Sequence, residues 1–213
     1  MKLINRKAIL AALESQAPES LFIDPMLERD SQVNAIGVDL RLGYDFLVSI
    51  MTRRPSVELA PSEDPERRTI ASYFQETRRD LGDTFVLYPH QVALGTTLEY
   101  VSVPRNMFAD IVSRSSFNRL GVTLATSVQP GYRGCVSLEL VNHGQSPIEL
   151  VVGGRIVEAR FYEIEGELEY IDAARAPRKY LANVRPIVSR ADKDKELEPL
   201  AAIRLKRIER GES

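Results

Sequence analysis

The chain has 213 residues, with 28 Lys plus Arg against 30 Asp plus Glu and a formal net charge of −2. That length suits one substantial domain, and an apolar share of 44% supplies an ordinary buried core. The balanced charge excludes a general electrostatic hold on nucleic acid, so an anionic ligand must be gripped by a local cluster of arginines and amides. Cys135 is the single cysteine, and His90 and His143 are the two histidines. No intrachain disulfide can form, which fits a reducing compartment, and the ligands for a Cys/His zinc site are too few. The opening MKLINRKAILAALESQ lacks the continuous apolar run of a signal peptide, and no window of about 18 apolar residues suggests a membrane span. These features predict a cytoplasmic protein with no membrane or nucleic-acid partner.

Residues 5–15 predict a short helix, with Asn5 as N-cap and Ile9, Leu10 and Leu13 on one face. Pro18 and Pro25 bracket an extended piece, LFIDP. In IGVDLRLGYDFLVSI (36–50) the period changes to two, with Val38, Leu40 and Leu42 alternating with Asp39, Arg41 and Gly43. Residues 51–83 are rich in Pro, Arg and Glu and read as an insertion. Within it, PERRTIASYFQETRRDL (65–81) predicts one amphipathic helix, because Ile70, Tyr73, Phe74 and Thr77 follow helical spacing behind Pro65. From Phe85 to about Tyr170 short β-branched runs are separated by Gly, Pro or Asn, the pattern of a sandwich, jelly roll or barrel. The organisation expected is a single mainly β domain over 1–195 and a charged, weakly helical tail over 196–213.

Three segments could carry chemistry. SRSSFNRLGV (113–122) collects Arg114, Ser115 and Ser116, whose guanidinium, hydroxyls and amides suit phosphate oxygens, and Arg119 lies five residues beyond Arg114. A solvated loop would look the same. QPGYRGCVSLELVN (129–142) is a turn followed by a strand, with Val136, Leu138 and Leu140 on one face and Cys135, Ser137, Glu139 and Val141 on the other. Burial would raise the pKa of Glu139 and let it accept and return a proton near neutrality; a carboxylate paired with arginine at a sheet rim is the other reading. RKYLANVRP (178–186) places Lys179 in a basic segment that could fold over a triphosphate or remain a disordered C-terminus.

In order along the chain, GVDLRLG (37–43), LGTTLEY (94–100), SRSSFNRLG (113–121), VQPGYRGCVSLE (128–139) and KYLAN…SRADKD (179–194) resemble the motifs of the dCTP deaminase family. The resemblance covers most of residues 3–50 and 84–195. It implies a distorted jelly-roll or β-barrel subunit of the dUTPase-like fold, assembled as a homotrimer with active sites between subunits and closed by the C-terminal arm. It implies hydrolytic deamination of dCTP to dUTP and ammonia. Glu139 matches the catalytic general base and acid, Ser115 and the backbone carbonyl of Ala125 match groups orienting the attacking water, and Arg119 matches the arginine beside the glutamate. Arg114, Ser115, Ser116 and Lys179 match triphosphate contacts, with Mg²⁺ entering only on the phosphates and no metal held by the protein at the reacting centre.

The sequence departs from the family pattern in three places. Gln129 stands where the family has an aspartate on the sugar hydroxyl; an amide can still bond a hydroxyl but is a poor base. The stretch after RLGV is about three residues shorter, with Leu124–Ala125 in place of Thr-Ala. Asn183 replaces a glutamine of the arm. A dUTP diphosphatase or bifunctional enzyme, and a nucleotide-binding trimer without turnover, are the alternatives these departures leave open.

Overall fold

A computed structural model of the chain describes residues 1–17, 19–51, 56–59, 69–166 and 182–210. The chain divides into two compact units, Met1–Val48 with Glu76–Ile187, and Ser49–Gln75 with Val188–Ser213. The first unit opens with β1 (Lys2–Leu3) and α1 (Arg6–Glu14). The Asn5 side chain accepts a hydrogen bond from the Ala8 amide, satisfying one orphan donor of the first turn, and Ile9 is buried, as the sequence spacing predicts. There follow β2 (Phe22–Asp24), α2 (Arg29–Gln32), β3 (Val38–Arg41) and β4 (Asp45–Ser49). After the insertion come β5 (Phe74–Arg78), β6 (Thr84–Leu87), β7 (Val92–Ser102), β8 (Met107–Ser113), α3 (Ser115–Asn118) and β9 (Val122–Thr123). The remaining strands are β10 (Ala125–Val128), β11 (Arg133–Asn142), β12 (Ile148–Val151) and β13 (Arg155–Glu163). In the second unit, α4 (Leu197–Glu209) forms where the tail predicts weak helix.

The strands build two open sheets and a β6–β12 ribbon. One sheet runs β1-β13-β8-β10 with β3 also on β13; the other runs β5-β4-β7-β11-β9 with β2 also on β7. Their inward residues, among them Leu40, Val101, Ile111, Leu138, Leu140, Val157 and Phe161, form a single apolar cluster, and Phe46 stacks on Phe85 at 4.2 Å. The architecture is therefore mainly β, as the strand spacing predicts, with two faced sheets rather than a closed barrel. Among the described residues no helix is long and apolar enough to cross a membrane.

The helix predicted over 65–81 does not form across its described part. Ile70–Tyr73 is a 3₁₀ turn and Phe74–Arg78 is strand, while residues 60–68 lie outside the described residues. The cause is the backbone of the 44–50 segment. The Ile50 amide donates to Tyr73 O and the Arg79 amide to Tyr44 O, both at 3.0 Å, so an open sheet edge claims this backbone. Helical spacing is a weak prior against such a ladder, and Tyr73, Phe74 and Thr77 are good strand formers.

The β7–β11 pairing carries an irregularity. Cys135 lies opposite Tyr100 and Ser137 opposite Thr96, so Thr97–Glu99 face the single Val136. The buried Thr97 hydroxyl accepts from the Val136 amide at 2.9 Å and donates to Glu99 O at 2.7 Å, satisfying the groups the irregular ladder leaves over. Beside it lies a fully buried acid. Glu99 accepts from the Gln32 amide nitrogen at 3.0 Å and from the Arg41 backbone N–H at 2.8 Å. Burial still outweighs these bonds and pushes its pKa up to about 7. At the start of β11 the chain's own arm completes the edge: the Ala182 amide donates to Arg133 O and the Cys135 amide to Asn183 O. Between them Gly134 has φ +148°, and a Cβ there would stand 2.8 Å from Asn183 O.

Two outcomes are expected. Glu99 holds its proton more tightly folded than unfolded, so stability should fall as pH rises from about 4.5 to about 7, by on the order of 3 kcal/mol, and level off above. Urea unfolding of wild type and Glu99→Gln across pH 4.5–8 should show that slope only in the wild type; parallel profiles would contradict it. Gly134→Ala should lift the 182–183 segment from β11. Hydrogen exchange at the Cys135 amide should then quicken at least about tenfold, and unchanged protection would refute the seat described.

Candidate active site

Alternation along β11 decides where Glu139 goes. Val136, Leu138 and Leu140 are buried in the core, which sends Ser137, Glu139 and Val141 to the other face. Glu139 is not shielded in the single chain as the sequence reading expects. It is exposed among the described residues, on the outward face of β11. Its pKa is nonetheless raised, since the neighbouring strands strip water from the carboxyl; its own backbone amide opposes the shift. The two observations describe one group, open on one side and crowded on the other. Cys135, expected on the same outward face, is instead buried. Asn183 O receives its amide proton and the Tyr132 hydroxyl donates to its carbonyl.

On one side Glu139 lies opposite Leu94 of β7. On the other edge of β11, β9 pairs through Val141↔Thr123 and Asn142↔Val122, and the ladder ends there, before it reaches Glu139. At Leu124 the chain leaves this sheet, and from Ala125 it pairs with β8 in the other, Ala125 against Val112. The shortened stretch predicted here is thus a direct crossing between sheets with one residue between β9 and β10. β10 still packs beside β11.

The same crossing anchors the arginine–serine segment. Ser113 donates to Leu124 O through its amide at 3.2 Å and its hydroxyl at 3.3 Å. Arg114, Ser115 and Ser116 follow at once, the last two opening α3 with exposed side chains. α3 ends in a turn at Gly121, φ +90°, whose carbonyl accepts from the His143 amide at 2.8 Å. The preceding residue, the buried Asn142, donates to Leu87 O and Ser146 O and accepts from the Gly144 amide. Both ends of the 113–121 segment are therefore hydrogen-bonded outside it, one to Leu124 and the other to His143, the residue that follows β11.

Arg119 is exposed and no arginine contributes to the shift of Glu139, so the ion pair implied by the resemblance is not made in the single chain. Gln129 is exposed at the head of the turn, where its carbonyl accepts from the Tyr132 amide. Asn183 reaches β11 through its main chain. Lys179 lies outside the described residues. Cavities of about 300, 370 and 330 Å³ are lined by Arg105 and Arg133, by Phe22 and Tyr100, and by Asp45 and Arg185, away from Glu139. Among the described residues Ser115, Ser116, Arg119 and Glu139 are exposed.

Sequence reasoning gave no role to Asp39, Thr97 or Asn142. The signal for Asp39 was present as an acid inside an apolar strand. Its carboxylate lies 3.3 Å from Arg114 Nε and 4.0 Å from an Arg155 nitrogen.

Residues 3–164 match the family described as dCTP deaminase-like. A protein of Methanobrevibacter smithii named dCTP deaminase, dUMP-forming, is 35% identical over 202 residues, covering 92% of this chain and 99% of that protein. A dCTP deaminase of Halorubrum lacusprofundi is 35% identical over 187 residues, covering 86% and 90%. The crystal structure of the 2′-deoxycytidine 5′-triphosphate deaminase of Agrobacterium tumefaciens shares the fold, with a TM-score of 0.57 and 24% identity over 82% of this chain; the chain spans 51% of that structure's length. Extended similarity over three quarters of its length, on the fold and motif order described above, means that the chain belongs to the dCTP deaminase-like family.

Proposed function

We propose that this protein catalyses hydrolytic deamination of dCTP, releasing ammonia and dUTP, within pyrimidine deoxynucleotide synthesis in the cytoplasm. The observation that carries the reading is the meeting of segments at the sheet crossing: Leu124, one residue past the β9 strand that pairs with β11, accepts both hydrogen bonds of Ser113, which leads directly into Arg114–Ser116, while Glu139 stands on the outward face of β11. The Glu139 carboxylate takes a proton from water as the water oxygen bonds to C4 of the cytosine. The proton passes to ring N3, and a second transfer through Glu139 to the exocyclic nitrogen lets ammonia leave as the C4 carbonyl forms. The raised pKa of Glu139 suits both directions of transfer near neutrality. Ser115 and the Ala125 carbonyl orient the water, and Arg119 supports the carboxylate. Arg114, Ser115, Ser116 and Lys179 hold the triphosphate, Gln129 the sugar, and Asn183 belongs to the closing arm. The cradle presents guanidinium and hydroxyl donors, so Mg²⁺ arrives as part of the nucleotide. The exposure of Ser115, Arg119 and Glu139 in one chain supports a homotrimer in which neighbouring copies cover the site.

A second reading, release of dUMP and pyrophosphate, is favoured by the name of the Methanobrevibacter smithii relative. Against it stands Gln129, a poor base for the water that would cleave the triphosphate. Product analysis separates the two, because pyrophosphate accompanies dUMP alone.

Glu139→Gln should lower ammonia release from dCTP by at least about a hundredfold. An inactive wild type, or equal rates in both proteins, would defeat the assignment. The base must be ionised to act, and its pKa is raised, so kcat/KM should fall on the acid side with a midpoint above the ordinary glutamate value of 4.5. A midpoint at or below that value contradicts the role.

A further inference from the structure

We propose that Asp39 is a positioning residue that fixes the guanidinium of Arg114 for the phosphates of the nucleotide. The inference rests on the reading of the 114–116 segment as a phosphate cradle and adds the group that orients it. Asp39 lies in β3, on the far side of β13 from the β8 strand that leads into Arg114, and its residue is only 7% exposed. Its Oδ2 stands 3.3 Å from Arg114 Nε. Arg114 is held twice more, by NH1 donating to Arg155 O at 3.1 Å and by its amide donating to Ile156 O at 3.0 Å.

A guanidinium has five N–H groups in one plane. Here Nε lies in ion-pair range of Asp39 and one NH1 hydrogen goes to a carbonyl, which holds the guanidinium at two points. Among the described residues no other side-chain partner of Arg114 is made, and the side chain is 37% exposed beside Ser115. A two-point anchor of this kind lets a planar fork meet phosphate oxygens without first ordering a long side chain.

The surroundings of Asp39 favour this division of labour. Arg155 also faces it, at 4.0 Å, but its NH1 is turned to Ser31, donating to the carbonyl at 2.8 Å and bonding the hydroxyl at 3.2 Å. Glu158 is the like charge nearby, itself accepting from Asn34 at 3.3 Å and paired with Arg160 at 3.0 Å. Arg114 is thus the closest cation to Asp39 and the only one of the two that adjoins the serines.

Inorganic tripolyphosphate binding, read by calorimetry, tests the anchor without turnover, with dCTP kinetics run in parallel. Asp39→Asn keeps size and one acceptor oxygen and removes the charge. It should weaken tripolyphosphate roughly tenfold and raise the KM for dCTP by more than it lowers kcat. Arg114→Lys, which keeps the charge and loses the fork, should do the same, and the double variant should be no weaker than Arg114→Lys. A folded Asp39→Asn protein with unchanged tripolyphosphate affinity, or additive losses in the double variant, overturns the proposal, as does a wild type that does not bind tripolyphosphate. If Asp39→Asn fails to fold, an Arg114→Lys affinity equal to wild type still overturns it. A wild type that binds tripolyphosphate but releases no ammonia defeats the deaminase reading and leaves Asp39 to be judged by the binding data.

Discussion

The strand β11 must satisfy two surfaces at once. Its even-numbered residues Val136, Leu138 and Leu140 are held in the apolar cluster shared by the two sheets, and that commitment fixes which way Glu139 points. A slip of one residue would exchange the faces and drive a carboxylate into the core, at a cost no surface contact could offset. The ten residues of β11 are therefore placed by packing, and the outward position of the carboxylate follows from it. Thr97 protects this arrangement at the weak point of the ladder by accepting the amide proton of Val136.

The chain then brings the remaining groups to the same place by crossing between sheets. Thr123 belongs to one sheet and Ala125 to the other, so at Leu124 the backbone leaves the edge of β11 and joins β8. Ser113 grips Leu124 O, and the arginine–serine segment begins at the next residue. Glu139 and the segment proposed to hold the phosphates belong to different sheets, yet a single crossing of the chain links the strands that carry them. Rigid elements of this kind hold reacting groups more closely than a free loop could.

The buried acids divide into distinct roles. Glu99 is sealed from solvent among Gln32, Arg41 and the irregular stretch of β7, and its bonds are all to the chain itself. Asp39 is nearly as buried, but one of its partners, Arg114, reaches the surface. Glu139 is the accessible member, with its pKa raised and no partner cation contributing. Burial raises all three, and only the position of each relative to the crossing separates structural from chemical use.

Much of this was legible in the sequence. The N-cap at Asn5, the runs of strand, the alternation that separates Leu138 and Leu140 from Glu139, and the arginine–serine segment follow from local spacing. The failures share a cause. The 70–78 stretch has helical spacing, yet the open backbone of residues 44–50 draws it into a 3₁₀ turn and a strand; Cys135 has outward parity, yet it is buried where Asn183 bonds its amide; Glu139 looks shielded, yet it is exposed among the described residues. Each depends on groups distant in sequence, which local periodicity cannot register. The central claim, that the Glu139 side chain addresses cytosine from the crossing, is tested most directly by a crystal structure of the Glu139→Gln protein with dCTP. The account predicts the base over residue 139, with C4 within reach of it through one water and the phosphates on Arg114–Ser116; a cytosine bound elsewhere, with residue 139 facing bulk solvent, would contradict it.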